Sequence, residues 1–320
     1  MIEQQQGTVS FLQFSSFQVF PNIIHAIFTR RGGRSSDPYS GLNVSFSTGD
    51  SQENVLGNRL LALQALGIAS YPCATVWQIH SAQVAMLDTQ QTSWDDWRFD
   101  WPHRSYWLDG QELVWTIKPR RKADAIITRQ RGIALALSFA DCVPLLLYDP
   151  VRQAIALAHA GWRGTARGIA LAAVEAMREQ FSSRPQDIYA GICPSIGPCC
   201  YEVSEYVRDL FSGRASFSEM PAAERYRPLV REAATFLTRY LPQGESLRLD
   251  LWQTNYNQLL LAGLLPAHIE ASNLCTGCHT DQFFSHRMEQ GRTGRFPVIF
   301  ALSAGTDPNM SFPASAQNDI

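Results

Sequence analysis

The chain has 320 residues, of which 45% are hydrophobic and 18% are charged, and its formal net charge is -2. A charge so close to zero gives no bulk attraction to nucleic acid or to anionic membranes, so we expect neither as a partner. We find no apolar run long enough to span a membrane and no secretion signal, and we therefore expect a cytoplasmic protein. Its seven cysteines then favour reduced thiols or metal ligands over disulfides.

The first third of the chain predicts strands around one helix. Residues 1–24 alternate weakly between apolar and polar side chains and predict edge strands, and His25 to Thr29 predicts a further strand before the turn at 30–33. Helical spacing over 53–66 follows Asp50 and Ser51, either of which is a natural N-cap. Residues 73–80 alternate toward a strand that ends at His80, and the pattern continues over 83–86.

Residues 89–122 form a tryptophan-rich insert. It carries five of the eight tryptophans of the chain, and a basic run, Lys118 to Lys122, stands at its end. Aromatic and basic residues together would suit single-stranded nucleic acid, but interleaved acidic residues such as Asp95 and Asp96 oppose that use. We favour a packed surface segment or a contact with a protein partner through 89–122.

Three short apolar runs, 133–139, 143–148 and 154–158, are bounded by Gly, Pro or Asp, which is typical of strands buried on both faces. A glycine-containing turn then leads from His159 into a helix predicted over 164–181. Such a turn at a helix N-terminus favours anion binding, and Arg163 would add positive charge to it.

The remaining pattern predicts further helices and strands up to residue 302. Helices are predicted at 204–211, 232–240 and 249–264, and strands within 185–192, 269–273, 283–285 and 296–302. The adjacent Cys199 and Cys200 favour a Pro/Gly-rich turn, with redox chemistry as an alternative. Residues 303–320 predict a flexible tail.

Cys142 and His159 stand at the ends of two neighbouring predicted strands, and His80 ends a third. Two imidazoles and one thiolate leave the fourth position of a zinc ion open, which is the arrangement of a catalytic zinc. The same ligands also suit a single copper ion, although a copper cluster needs more histidines than the seven present. Separately, Cys275 to His279 spells C-x-x-C-H, for which haem attachment, a redox role or a second metal are alternatives.

Several motifs, in this order, extend the argument to a known family: HAIFTRRGG, QIHSAQV, ADAIIT, FADCVPLLLYD, AHAGWRGTARG, ICPSIGPCCYEV and FFSHRMEQGRTGR. Together they resemble the laccase-domain (multicopper polyphenol oxidoreductase) family, whose members are regarded as zinc-dependent purine nucleoside phosphorylases. The resemblance implies a single α/β domain over 25–302, with mixed β-sheets flanked by helices. It also implies that His80, Cys142 and His159 bind Zn²⁺.

The resemblance further implies phosphorolysis of adenosine, inosine, guanosine and methylthioadenosine, with adenosine deamination as a second activity. Nucleosides and phosphate are the expected small-molecule partners. We assign catalytic roles to Asp141 and Arg163, and substrate contacts to Asn43, Arg59, Gln78 and Arg287. The sequence departs from the family pattern at the insert, at His286 and at Cys278-His279. Two alternatives are a copper-dependent phenol oxidoreductase and a non-catalytic binding protein braced by its metal.

Overall fold

The computed structural model describes residues 1–87, 106–108, 110–113, 121–217, 224–241 and 244–305. The strands are β1 (Ile2–Gln6), β2 (Val9–Gln13), β3 (Ile23–Phe28), β4 (Cys73–Ala74), β5 (Val84–Leu87), β6 (Tyr106–Leu108), β7 (Gln111–Leu113), β8 (Ala125–Thr128), β9 (Ala134–Phe139), β10 (Val143–Asp149), β11 (Ala154–Ala160), β12 (Tyr189–Ile192), β13 (Phe236–Leu241), β14 (Gly244–Leu249), β15 (Ile269–Ala271) and β16 (Phe296–Leu302). The helices are α1 (Gln52–Ala65), α2 (Trp162–Ala166), α3 (Ile169–Phe181), α4 (Glu205–Ser212), α5 (Arg227–Ala233) and α6 (Leu251–Leu261).

Two six-stranded sheets form the centre of the described structure. The first has the strand order β1-β2-β3-β16-β9-β4 and the second has the order β15-β12-β10-β11-β8-β5. Most neighbouring strands are antiparallel, whereas β4 with β9, β5 with β8 and β12 with β15 are parallel. The mixed α/β fold that the resemblance implied is thereby confirmed, and β1 does lie at a sheet edge.

The two sheets pack face to face, with helices on the outside. Along β10, Leu146 and Tyr148 contact the first sheet, while Leu145 and Leu147 contact the layer that contains α3 and α6. Helix α1 covers the outer face of the first sheet. Because the central strands have an apolar neighbour on both faces, they need continuous apolar runs, as their sequences predicted.

Several local predictions hold and others are wrong. The hydroxyl of Ser51 caps α1 by accepting a hydrogen bond from the backbone N–H of Asn54 at 3.1 Å. The helix predicted over 232–240 is wrong, because α5 ends at Ala233 and β13 follows, paired with β14 in a hairpin. Residues 283–285 form no strand. The helix predicted over 164–181 is two helices, separated where Gly168 adopts φ = 81°.

The segment before His80 also differs from its prediction. Its regular strand is only β4, and His80 lies in a bend with φ = 59°. Most of the insert 89–122 lies outside the described residues, except for the β6–β7 hairpin and residues 121–122. Of the tail predicted at 303–320, only 303–305 is described. Among the described helices, none has the length and apolar character needed to cross a bilayer.

His25 in β3 is buried between the sheets and carries a prediction about acid stability. Its Nε2 accepts a hydrogen bond from the backbone N–H of Phe14 at 2.8 Å, and burial lowers the pKa of the ring from 6.5 to about 4. The unfolded chain therefore binds a proton between these values while the folded chain does not. We expect full stability from this residue above pH 6.5 and a loss of up to about 3 kcal/mol as the pH falls to 4.

The measurement is the free energy of unfolding between pH 7 and 4 for the native chain and for His25→Gln. Glutamine is neutral at every pH in this range and its carbonyl can still accept the hydrogen bond from Phe14. Taking the difference between the two proteins cancels the titration of all groups that they share. Parallel curves for the two proteins would contradict the prediction.

Candidate metal centre

The strand register of the second sheet brings the three predicted metal ligands together. In the antiparallel pair β10–β11, Pro144 stands opposite His159, so that Cys142 lies beside the end of β11. Strand β8 pairs with β11, and β5 pairs with β8. The bend at His80 therefore lies at the same end of these strands as Cys142 and His159. The ligand atoms of His80, Cys142 and His159 lie within 4.8 Å of one another. A single ion can contact all three.

Asp124, directly before β8, forms hydrogen bonds with the residues around the candidate metal site. Its Oδ1 lies 2.9 Å from Nδ1 of His159 and accepts a hydrogen bond from the backbone N–H of His80 at 3.0 Å. Its Oδ2 accepts hydrogen bonds from the backbone N–H and the hydroxyl of Ser81, at 2.5 and 2.7 Å. Because Nδ1 of His159 faces Asp124, Nε2 is left as the ligand nitrogen. A carboxylate behind a histidine ligand is the usual support of a metal site.

The electrostatics of the site favour a bound cation. Burial alone would raise the pKa of the Cys142 thiol, but His159 and His80 lower it to about 6. Burial would lower the pKa of His159, but Cys142 and Asp124 raise it to about 10. Burial would likewise raise the pKa of Asp124, but hydrogen bonds from His159 and Ser81, together with the charge of His159, lower it. The lowered pKa of Cys142 and the raised pKa of His159 have one cause, because a thiolate and a carboxylate flank the same imidazole. A divalent cation suits such an environment.

Two residues at the centre adopt backbone conformations that are unusual for residues other than glycine. His80 has φ = 59° and Asp141 has φ = 84°. Each such conformation costs on the order of 1–3 kcal/mol and persists only where neighbouring contacts hold it. The bonds of Asp124 to residues 79–81 hold His80. The Asp141 backbone carbonyl accepts a hydrogen bond from Ile196 at 2.9 Å, which helps to hold that residue.

Gly161 leaves the space that the ligands occupy. A Cβ at this position would lie 2.8 Å from Sγ of Cys142 and 3.1 Å from Cδ2 of His80. Its backbone, with φ = -67° and ψ = 167°, is accessible to any residue. We therefore expect Gly161→Ala to displace the ligands without straining the backbone, and to weaken metal binding at least about tenfold.

The affinity of Gly161→Ala for Zn²⁺ is to be measured by competition with a chromophoric chelator, and its fold by circular dichroism. Gly164→Ala is the matched control, because the atoms nearest to its Cβ would be the backbone oxygens of Ser81 and His159, at 3.1 and 3.4 Å, rather than a ligand atom. Equal affinities for the two variants would argue against close packing of the ligands around Gly161.

Asp141, predicted as a catalytic residue, lies beside the centre with both carboxylate oxygens engaged. Oδ1 accepts hydrogen bonds from the hydroxyls of Thr276 and Ser285, at 2.7 and 2.8 Å, and Oδ2 accepts one from the backbone N–H of Arg287 at 2.7 Å. The carboxylate thus fastens the 276–287 segment to the strand end that carries Cys142. This geometry favours a positioning role over proton transfer.

Arg163 and Arg287 both lie close enough to Tyr201 to affect the pKa of its hydroxyl. The guanidinium of Arg287 stacks over the Tyr201 ring, with 5.0 Å from Cζ to the ring centroid, and donates to the carbonyl of Glu202 at 2.8 Å. Burial raises the pKa of Tyr201, with further electrostatic effects from Cys142, Arg287 and Arg163. Arg163 is the second residue of α2, and its guanidinium stacks on the ring of Trp162. Two exposed arginines therefore stand near the candidate metal ligands.

The other three predicted substrate contacts are engaged with the protein itself. Asn43 is fully buried and its Oδ1 accepts a hydrogen bond from the backbone N–H of Arg295 at 2.9 Å. Arg59 donates to the carbonyl of Val44 at 2.9 Å and stacks over Phe46. Gln78 donates to the carbonyl of Ser138 at 3.2 Å. Of these residues, Gln78 lies nearest in sequence to a ligand, two positions before His80.

Asp124 lies in the ADAIIT motif and Tyr201 in the ICPSIGPCCYEV motif, but the sequence predicted no role for either residue. A single Asp before a strand is common, so only its position beside His159 in the folded sheet reveals its role. Tyr201 follows the vicinal cysteines, and its contact with Arg287 joins segments that are far apart in sequence. Neither residue carries a local signal that would have identified it.

Comparison with known proteins agrees with this geometry. Residues 24–303 match the family model described as multi-copper polyphenol oxidoreductase laccase. The chain is 34% identical over 276 residues to purine nucleoside phosphorylase YlmD of Geobacillus stearothermophilus, covering 86% of this chain and 89% of that protein. It is 33% identical over 276 residues to a protein of an unknown prokaryotic organism that is named as an adenosine deaminase, covering 84% and 92%.

A solved structure, that of YlmD from Geobacillus stearothermophilus, superposes with a TM-score of 0.72 at 30% identity, covering 94% of this chain and 99% of that one. The chain belongs to the multi-copper polyphenol oxidoreductase laccase family, as its motifs indicated. The relatives named above are nucleoside-processing enzymes by name. Family membership and the three converging ligands together indicate a metal-binding enzyme.

Proposed function

We propose that the protein is a zinc-dependent purine nucleoside phosphorylase that acts on adenosine, inosine, guanosine and methylthioadenosine, with adenosine deamination as a second activity. The observation that carries the proposal is the convergence of His80, Cys142 and His159 within 4.8 Å, with Asp124 fixing the orientation of His159. The names of the relatives support the substrate class.

The donor set fits zinc. Imidazole and thiolate are both good zinc ligands, and three protein ligands are the number typical of catalytic zinc sites. The lack of a side chain at Gly161 leaves room for the ligand atoms to approach each other. When bound, zinc supplies a positive charge and Lewis acidity beside the start of β10 and the end of β11.

Phosphorolysis requires a phosphate anion beside C1′ of the ribose while the glycosidic bond breaks. In our proposal Arg163 and Arg287 bind this phosphate, because both are exposed and stand around Tyr201 near the ligands. Arginine presents a planar set of donors that matches phosphate oxygens. Asp141 holds the backbone of Arg287 and thereby positions one of the two cations. Asn43, Arg59 and Gln78 remain proposed substrate contacts.

The test is a screen of nucleosides with and without phosphate, run beside elemental analysis of the purified protein. We expect zinc in the protein, release of hypoxanthine from inosine only with phosphate, and release of ammonia from adenosine without it. A coloured copper protein that consumes oxygen with phenols would instead support the oxidase alternative. Loss of thermal stability on chelation without any nucleoside turnover would support the non-catalytic alternative, in which 89–122 contacts a partner.

A further inference from the structure

A second group of metal-binding side chains lies outside the centre described above. The Sγ atoms of four cysteines lie within 4.8 Å of one another: Cys199, Cys200, Cys275 and Cys278. We propose that these four thiolates bind one zinc ion in a closed, structural site. The proposal is independent of the proposed function, because it shares no ligand with the first centre.

The distances between the sulfur atoms fit one tetrahedral ion. A Zn–S bond of about 2.3 Å implies sulfur atoms about 3.8 Å apart at the corners of a tetrahedron. Sγ of Cys278 lies 3.4 Å from Sγ of Cys199 and 3.5 Å from Sγ of Cys200. A disulfide needs about 2.05 Å. Thiolates that each bind a different iron of an iron–sulfur cluster must stand farther apart than thiolates on one ion.

Two turns bring the four side chains to one point. In the first, the backbone N–H groups of Cys200 and Tyr201 both donate to the carbonyl of Gly197 at 3.0 Å, which curls the chain so that two adjacent cysteines approach the same sulfur. In the second, the backbone N–H of Cys278 donates to the carbonyl of Cys275 at 3.2 Å. A C-x-x-C turn of this kind commonly supplies two ligands of a structural zinc.

The most buried of the four sulfur atoms has a backbone donor, and the group is open to solvent. The backbone N–H of Gly197 points at Sγ of Cys275 at 3.2 Å, so that the most buried sulfur already has a donor that stabilises its charge. Gly277 is needed for the close approach, because a Cβ there would lie 3.0 Å from Cβ and 3.2 Å from Sγ of Cys200. Cys199 and Cys278 are exposed, so an ion can enter from solvent.

An ion at this point would join two segments that border the first centre. Ser195 and Cys275 form a β-bridge, and Thr276 donates its hydroxyl to Asp141 within the same turn. The second segment continues to Arg287, whose backbone N–H is fixed by Asp141. The ion therefore braces the part of the chain that carries one of the two proposed phosphate-binding arginines.

The experiment compares the zinc content of the full-length native protein with that of Cys278→Ser and Cys142→Ser, after purification with reductant and desalting. We expect about two ions per native chain and about one in each variant, because each substitution removes a ligand from a different site. Cys193→Ala is the control, since the thiol of Cys193 is buried and belongs to neither group. Equal zinc in Cys278→Ser and the native protein would overturn the proposal.

A second measurement holds even if Cys278→Ser fails to fold. Co²⁺ is titrated into the Cys142→Ser protein, in which the four-cysteine group is the only intact one of the two found in the described residues. Intense sulfur-to-metal charge-transfer bands, with four thiols shielded from alkylation until a chelator is added, support the site. Immediate alkylation of all four thiols, or their recovery as disulfides from protein kept in reductant, would overturn it.

Discussion

Cys142→Ser is expected to remove the metal from the first centre and to lower kcat/KM for phosphate-dependent cleavage of inosine by at least about 1000-fold. A loss of about 4 kcal/mol of transition-state stabilisation corresponds to this factor, and a metal ion typically contributes several kcal/mol. The thiol of Cys142, whose pKa is lowered to about 6 by His159 and His80, is readily ionised. A serine hydroxyl is far less acidic, so it supplies no comparable anionic ligand.

Hypoxanthine release and zinc content are to be measured on the same preparations. Serine is close to cysteine in size and Cys142 is half-buried, so the fold should survive, as thermal unfolding would verify. His268→Gln is a useful control for the histidine ligands, because His268 stacks on Tyr189 at 4.0 Å and belongs to neither metal group. Full activity in Cys142→Ser, or in the parallel variant His80→Ala, would reject the proposed function.

Asp124→Asn is expected to affect both stability and metal binding. The carboxylate is fully buried and accepts hydrogen bonds from the backbone N–H groups of residues 79–81 as well as facing His159. An asparagine would place an NH₂ group against one set of these donors, leaving them unpaired. We expect a loss of about 3 kcal/mol in the free energy of unfolding and a 10- to 100-fold lower affinity for zinc, both order-of-magnitude values.

Asp149→Asn is the matched control for this experiment. Asp149 is also fully buried and accepts hydrogen bonds from the backbone N–H groups of Val151 and Arg152, at 2.8 and 3.0 Å, but it lies at the opposite end of β10 from Cys142. Asp149→Asn should lower the free energy of unfolding, but its affinity for zinc should equal that of the native protein. If both variants bound zinc as the native chain does, Asp124 would have no role in orienting His159.

Much of the fold was predictable because each central strand corresponds to a short apolar run in the sequence. The runs at 133–139, 143–148 and 154–158 are apolar at every position except Ser138, and β9, β10 and β11 follow them closely. The prediction of a helix over 232–240 was wrong, because apolar residues at helical spacing do not exclude a strand. The pairing of Phe236 with Leu249 in the β13–β14 hairpin satisfies its backbone instead.

The candidate metal ligands were predictable because strand ends were correctly located around Cys142 and His159. His80 was found by the same argument although its strand is shorter than predicted, since a neighbouring bend still reaches the same edge. No local pattern indicated that Asp124 would stand behind His159. Nor did any pattern show that Cys199 and Cys278, 79 positions apart, would bring their sulfur atoms within 3.4 Å.

The amino-acid sequence by itself determined the apolar strands, the family and the three side chains that converge beside the start of β10 and the end of β11. These follow from hydrophobic patterning and ordered motifs, which are properties of short stretches of chain. Only the tertiary structure decided that Asp124 orients His159, that Asp141 fastens Arg287, and that four thiols meet at one point. The reason is that such contacts depend on strand register and on the turns at 197–201 and 275–278, through which distant segments are brought within bonding distance.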